Sequence, residues 1–327
     1  MTCLLMPANL RASQVPQSKP CTIPALPLTA PLGFAVIDKP AGLTSHACVA
    51  RIRRLLGIRR VGHGGTLDPA VTGVLPIAVG QATRLLPYLP GDKTYRGVIQ
   101  LGITTNTDDL EGEISSRQPL PALSSAELEQ ALAPFRGLIQ QRPPQVSAVH
   151  VDGERAHARA RRGEQMDLPE RAITIHHLHL LNWCPEQGQL RVEVHCSAGT
   201  YIRSLARDLG QNLGCGGCLA SLRRTQALGF QDAQAIPLPE RPEPGATATD
   251  PPALPLLPPQ DALAHLPQRR LSAREQEDWS CGRRITPGAD QESDAVVVLS
   301  EGGRMLGLGV PDGTGGLQPK VVFEARG

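Results

Sequence analysis

An α+β fold with a small β-rich tail is predicted by three features of this 327-residue chain. Strand-length runs, apolar or alternating, occur at Gly33–Asp38, Tyr95–Leu101, Ala172–Leu180 and Leu190–Cys196. Two segments carry apolar stripes at helical spacing: Cys48, Val49, Ile52, Leu55 and Leu56, then Ile202, Leu205, Leu209 and Leu213. Beyond a proline-rich stretch, short apolar runs at Ala295–Leu299, Met305–Val310 and Lys320–Phe323 are separated by glycine-rich turns, the pattern of an all-β module. The boundaries that follow are an extension over 1–30, a main domain over 31–236, a semi-rigid linker over 237–267 and a small domain over 268–327.

Hydrophobic residues make up 40% of the chain, enough for a real core. The net charge of +2 does not by itself announce a polyanionic partner, so the distribution of charge decides. Arg51, Arg53, Arg54, Arg59 and Arg60 crowd ten residues, and Arg155, Arg159, Arg161 and Arg162 form a second group. No acidic residue precedes Asp38. That faintly suggests a transit peptide; a disordered extension or an early start codon accounts for it better. The eight cysteines are scattered except for Cys215 and Cys218, and no second pair stands at a zinc-finger spacing. They read as small buried hydrophobes in a reducing, cytoplasmic setting. No apolar run reaches the roughly 18 residues of a membrane span.

In chain order, Gly33–Asp38 is a buried strand and Lys39-Pro40-Ala41-Gly42 a turn. Thr44 or Ser45 caps the first helix and Gly57 ends it. Its arginines form either a solvated face or a phosphate-contacting stripe. Next comes Gly62-His63-Gly64-Gly65-Thr66-Leu67-Asp68-Pro69. The glycines permit close backbone approach, and Pro69 keeps Asp68 out of the helical region, so a rigid loop presents one carboxylate. The apolar run Val74–Val79 anchors it from behind. Thr104–Glu113 is acidic but misses the calcium-loop spacing and reads as a polar turn. Ser124 and Glu127 form a capping box. Gln141–Ala148 is extended because of its prolines, and Glu154–Arg162 is read as a basic helix. Strict alternation over Ala172–Leu180 puts His177 and His179 on the face of Ile173 and Ile175, with His176 opposite, which disfavours a histidine metal cluster. Arg203 opens a helix, where the dipole disfavours a cation; a carboxylate or phosphate partner would explain it.

Taken together, the ordered stretches resemble the TruB family of bacterial tRNA pseudouridine synthases. They are Asp38–Ser45, Gly62–Pro69, Asp92-Lys93-Thr94-Tyr95-Arg96, Pro143–Ala148, Gly199-Thr200-Tyr201-Ile202-Arg203 and Leu222-Arg223-Arg224. The resemblance covers about Gly33 to Phe230, and the tail resembles the family's PUA-like RNA-binding module. It implies a mixed, largely antiparallel sheet with flanking helices. It implies isomerisation of one T-loop uridine of tRNA, position 55, without cofactor or metal, by a monomer that needs no obligate protein partner and no membrane. By position, Asp68 matches the catalytic aspartate, Tyr95 the tyrosine that stacks on the flipped base, and Arg203 the partner of the carboxylate. His63 matches the histidine that displaces the target from its stack; Tyr201 and Leu222 line the pocket. Lys39 belongs to the first motif, in a structural or RNA-positioning role. Arg51 and Arg53 are read as RNA-contacting.

The chemistry requires such residues. The uracil must leave C1′, rotate and rejoin through C5, atoms that are out of reach in a stacked loop. Flipping costs a few kcal/mol, and aromatic stacking returns about 1–3 kcal/mol per base. A buried Asp68 would resist ionising, and Arg203 would restore the charge. Gly64, His150 and His157 depart from the residues usual in the family, threonine, lysine and tyrosine respectively. The rival readings are a tRNA-binding and refolding protein, a sister synthase acting on rRNA, and a histidine-based metal hydrolase. If Arg51, Arg53 and Arg54 touch phosphates, neutralising all three weakens tRNA binding and flattens its salt dependence by roughly one counterion per lost contact, as read from binding isotherms across a salt series. An unchanged slope returns them to a solvated helix face.

Overall fold

The apolar runs at Gly33–Lys39 (β1) and Thr72–Val79 (β3) are continuous rather than alternating because both of their faces are covered. A computed structural model of the chain describes residues 31–147, 149–151, 153–240, 254–286, 293–313 and 315–324; the predicted extension over 1–30 lies outside them. The remaining main-sheet strands are Val61–His63 (β2), Lys93–Leu101 (β4), Gly137–Gln141 (β7), Arg171–Cys184 (β8), Gln189–Cys196 (β9), Gly217–Ala227 (β10) and Ile236–Pro237 (β11), with the two-residue strand Phe230–Gln231 paired on β10. A two-stranded ribbon, Ile103–Thr105 (β5) with Ile114–Arg117 (β6), stands apart from them. The main sheet runs β11-β1-β3-β10-β4-β9-β8-β7, with β2 on β3. Only β1–β11 and the short β3–β10 contact are parallel along that path. The sheet is therefore mixed and largely antiparallel.

On one face, Ala35, Ile37, Leu75, Ile77 and Val79 pack with the stripes of helices Ser45–Leu56 (α1), Ser125–Leu132 (α2) and Ile202–Asn212 (α3). Thr44 caps α1 by accepting from Ala47 N at 3.0 Å, and Gly57 closes it at φ 64°. The capping box is formed: Glu127 N donates to Ser124 Oγ, and Ser124 N to Glu127 Oε2 at 2.8 Å.

On the other face, Phe34, Val36, Val74 and Ala78 share one core with Ala295, Val297, Leu299, Met305, Leu308, Val321 and Phe323. Each fully buried side chain of this size is worth about 1.5–3 kcal/mol, so the C-terminal module is part of the fold's stability. The module's sheet is Gln268–Leu271 (β12), Val296–Ser300 (β13), Met305–Pro311 (β14) and Leu317–Val322 (β15), in that order. It also contains helix Ala273–Ser280 (α4), which buries Trp279. The module is thus β-rich and not all-β. The predicted linker needs correction too. Leu257 exchanges backbone hydrogen bonds with Phe34 at 2.8 and 2.9 Å, Pro259–Ala262 is helical and Leu263 is buried. Residues 254–267 dock on β1 because their leucines complete its covered face.

Two further expectations fail locally. The basic helix shrinks to Ala156–Ala160, because Glu154–Arg155 pairs with His150–Val151 as a small hairpin. Among the described residues, two of the four arginines there are paired: Arg162 with Glu154 and Glu164, and Arg159 with Glu164. In β8, a register shift between Ile175 and His177 breaks the alternation. A bulge inserts one residue, so Leu178 returns to the core while His176, His177 and His179 all stay exposed.

Gly64 has a specific packing reason. A Cβ placed there would lie 2.1 Å from Leu228 Cδ1. Leu228 fills the space that a larger residue would take. Gly64→Thr alone should cost about 1–3 kcal/mol by overpacking, and Gly64→Thr with Leu228→Ala should recover much of it, measured as a urea-unfolding double-mutant cycle. Additive costs would mean that the two positions are independent.

Candidate active site

The loop carrying Asp68 is tied down by buried polar groups from the neighbouring turn. Lys39 has no exposed surface, and its ammonium donates to Pro40 O at 2.9 Å, Leu43 O at 2.6 Å and Pro69 O at 3.0 Å. Ser45 Oγ accepts from Leu67 N at 2.8 Å and donates to Leu67 O. Gly42 N adds a bond to Pro69 O. Behind the loop, Gly73 adopts φ 101°, and a Cβ there would lie 2.2 Å from Arg224 O, so only glycine lets β3 and β10 meet. The residues on both sides of Asp68 are therefore held while its side chain, 48% exposed, faces outward.

Arg203 Nη2 stands 2.9 Å from Asp68 Oδ2. The guanidinium is only 8% exposed. It also donates to Thr107 O and Val146 O, each at 3.0 Å, and its Nε lies 3.6 Å from Asp109 Oδ2. A cation in the first turn of α3 is stabilised by carboxylates and carbonyls gathered in front of it, as its placement suggested. The expected burial is reversed: the arginine is enclosed and the aspartate is open.

Asp108 and Asp109 were missed as site residues, because the acidic stretch reads by composition as a turn. That turn links β5 to β6 and docks on β10, with Leu219 N donating to Asp108 O and Leu110 N to Leu219 O. Asp109 thereby reaches Arg203, and Asp108 pairs with Arg207 at 2.9 Å. Burial pushes the Asp108 carboxyl above its ordinary range, and Arg207 opposes the shift. The legible signal was the spacing of Arg203 and Arg207, four apart on one helix face, which calls for two acids opposite.

Tyr95 lies on β4, opposite Arg224 of β10 and Val194 of β9. It is 7% exposed. Burial raises its phenol above the ordinary value, Arg224 opposing, which keeps it neutral near pH 7. Arg224, also missed, is fully buried and donates to Val74 O at 2.8 Å and Gly65 O at 3.2 Å, fixing both sides of the Asp68 loop. Burial lowers the pKa of His63 below its usual value, with His46 and Arg224 acting in the same direction, so the ring is neutral near pH 7. It meets His46 edge to face at 5.3 Å.

The other predicted residues divide. Tyr201 caps α3 through its backbone and packs on the Val149, Ala156, Met166 and Leu168 cluster; its N–H donates to Gln141 Oε1 at 2.8 Å. Leu222 pairs with Gly97 and packs on the main core. Arg51 and Arg53 sit on α1, not in the Asp68 group, and donate to Pro239 O and Val61 O. His150 is exposed, and the side chain of His157 lies outside the described residues. Cys215 and Cys218 are free and buried, the Cys218 thiol pushed up to about 11. Among the described residues, one group has metal-ligand spacing: Asp92, His176 and His195.

Of the two roles read for Lys39, structural or RNA-positioning, its bonds support the structural one. An ammonium has three N–H groups, and all three are spent on carbonyls inside the protein. Lys39→Met should cost roughly 1–3 kcal/mol or more in chemical unfolding, by leaving buried carbonyls unpaired, while the salt slope of RNA binding stays unchanged. A flatter slope with unchanged stability would restore the RNA-contact role.

Comparison with known proteins agrees with this geometry. The TruB family pseudouridylate synthase N-terminal domain matches residues 53–202. The tRNA pseudouridylate synthase B C-terminal domain matches 203–240, and the pseudouridine synthase II TruB C-terminal domain matches 267–323. The chain is 69% identical over 300 residues to the tRNA pseudouridine synthase B of Parasynechococcus marenigrum (strain WH8102), a match spanning 91% of this chain and 99% of that one. It is 51% identical over 297 residues to that of Synechococcus elongatus (strain ATCC 33912 / PCC 7942 / FACHB-805), spanning 90% and 98%. A chain in the crystal structure of a Cbf5-Nop10-Gar1 complex superposes with a TM-score of 0.66 at 26% identity, over 89% of this chain and 84% of that one. With the Asp68 loop, Tyr95 and the Arg203 pair in place, the chain belongs to the TruB family of pseudouridylate synthases.

Proposed function

We propose that this chain is a tRNA pseudouridine synthase that isomerises the T-loop uridine at position 55, acting as a monomer in the cytoplasm with no cofactor or metal in the reaction. The observation that carries this reading is the pairing of a half-exposed Asp68 with an enclosed Arg203 at 2.9 Å. A carboxylate needed only for structure would be expected to be enclosed with its partner. This one is held by its backbone and offered outward.

On this reading the flipped uracil stacks against Tyr95 and so completes the enclosure of Asp68. Stacking worth about 1–3 kcal/mol offsets much of the cost of extruding the base. The ionised carboxylate then acts at the base or the sugar, the C1′–N1 bond breaks, the uracil turns, and C5 bonds to C1′. The proton released from C5 returns to N1 in the product, so atoms balance within one nucleotide. Neutral Tyr95 supplies a face and not a charge. Neutral His63, beside the loop, enters the space left by the target base without a charge to desolvate. The arginines of α1 contact T-stem phosphates.

Pseudouridine mapping of an unmodified tRNA transcript tests the reading, with wild type and Asp68→Asn in parallel. The expected result is one modified T-loop uridine with wild type and none with the variant, which still binds tRNA. A folded, tRNA-binding wild type that makes no pseudouridine would instead support a binding and refolding protein; modification elsewhere in the tRNA would overturn the assigned position.

A further inference from the structure

Asp92, His176 and His195 come together from three adjacent strands at one end of the sheet. Asp92 immediately precedes β4, His195 lies on β9 and His176 on β8. The β8 bulge is what admits His176. His177 takes the position opposite His195, and the extra residue turns the His176 ring toward the same end, 5.0 Å from the His195 ring. The three candidate ligand atoms lie within 4.8 Å of one another. His176 Nε2 is 3.4 Å and His195 Nε2 is 3.9 Å from Asp92 Oδ2.

Behind His195, Nδ1 lies 3.0 Å from Thr94 Oγ1, which donates to Gln226 Oε1 at 3.1 Å. In the tautomer with its proton on Nδ1, the imidazole donates to Thr94 and turns an Nε2 lone pair toward the Asp92 carboxylate. A lone pair and an anion that face each other form a donor set that a cation can bridge. Metal-binding histidines have this arrangement, with the far nitrogen held by a polar neighbour. The ammonium of Lys93, next to Asp92 in the chain, donates to Gly91 O at 2.7 Å.

We propose that Asp92, His176 and His195 bind one borderline divalent cation of the zinc type, with the fourth position open to water. Two imidazoles and a carboxylate suit such an ion, whose bonds of about 2.0–2.2 Å place tetrahedral ligand atoms roughly 3–4 Å apart. Closing the widest separation takes a small side-chain movement. The three side chains are 29–47% exposed, which leaves an entry path and the water position. The ion ties the start of β4, three residues before Tyr95, to β9 and β8. It is a structural clamp on the strand that carries the stacking face, and it takes no part in bond rearrangement.

The test uses the full chain stripped with a chelator, titrated with Co²⁺ followed by visible spectroscopy and with Zn²⁺ followed by calorimetry. The expected result is one site per chain, nitrogen/oxygen-type Co²⁺ bands without a thiolate charge-transfer band, displacement by Zn²⁺ and a raised melting temperature. His176→Phe and Asp92→Asn should each weaken binding at least about tenfold, whereas His177→Phe should leave it unchanged. His195→Gln replaces Asp92→Asn if circular dichroism shows that variant unfolded. Absence of saturable uptake by wild type means that the cluster shares a proton and overturns the proposal. A thiolate band, or binding undiminished in the ligand variants, overturns it as well.

Discussion

The site depends on enclosed positive charge. Lys39, Arg203 and Arg224 are each at most 7% exposed, and together they surround one loop. A buried cation is costly unless its donors are largely satisfied. Lys39 uses three carbonyls, and Arg203 uses two carbonyls and the carboxylates of Asp68 and Asp109. Arg224 uses two carbonyls beside Tyr95, and its Nη1 has no hydrogen-bond partner among the described residues. Each bond pins a backbone segment, so electrostatic satisfaction and loop rigidity are one requirement. The carbonyls hold the cations without cancelling their charge. Asp68 thus stands within a positive surround.

This arrangement depends in turn on the sheet order. Arg224 reaches the loop because β10 lies between β3 and β4, opposite Tyr95 on one side and Gly73 on the other. Arg203 reaches Asp68 because α3 packs on the same core as β3. The C-terminal module covers the opposite face of β1 and β3 through Phe34, Val36, Val74 and Ala78. Its packing supports the strands that flank the Asp68 loop.

Much of this was legible in residue order. The glycines and Pro69 announced the Asp68 loop, and the odd place of Arg203 announced a carboxylate or phosphate partner. Alternation at Gln189–Cys196 and the capping box at Ser124 were read from local rules that tertiary packing does not override. The histidine faces were misread because a bulge is not encoded by alternation; it is imposed when a long strand must keep both Ile175 and Leu178 in the core. The linker was misread because proline content says how the backbone bends and not whether Leu257 and Leu263 find a surface.

By itself the sequence determined the local chemistry: which residue types stand on which element, and where helices start and stop. These follow from steric, capping and dipole rules that act over a few residues. Only the tertiary structure decided that Asp109 and Arg224 join the site, that Lys39 faces inward, that Asp68 is open while Arg203 is enclosed, and that Asp92, His176 and His195 converge. Those outcomes depend on contacts between strands and loops far apart in the chain. Their energies come from burial and from paired charge, which no short window of sequence contains.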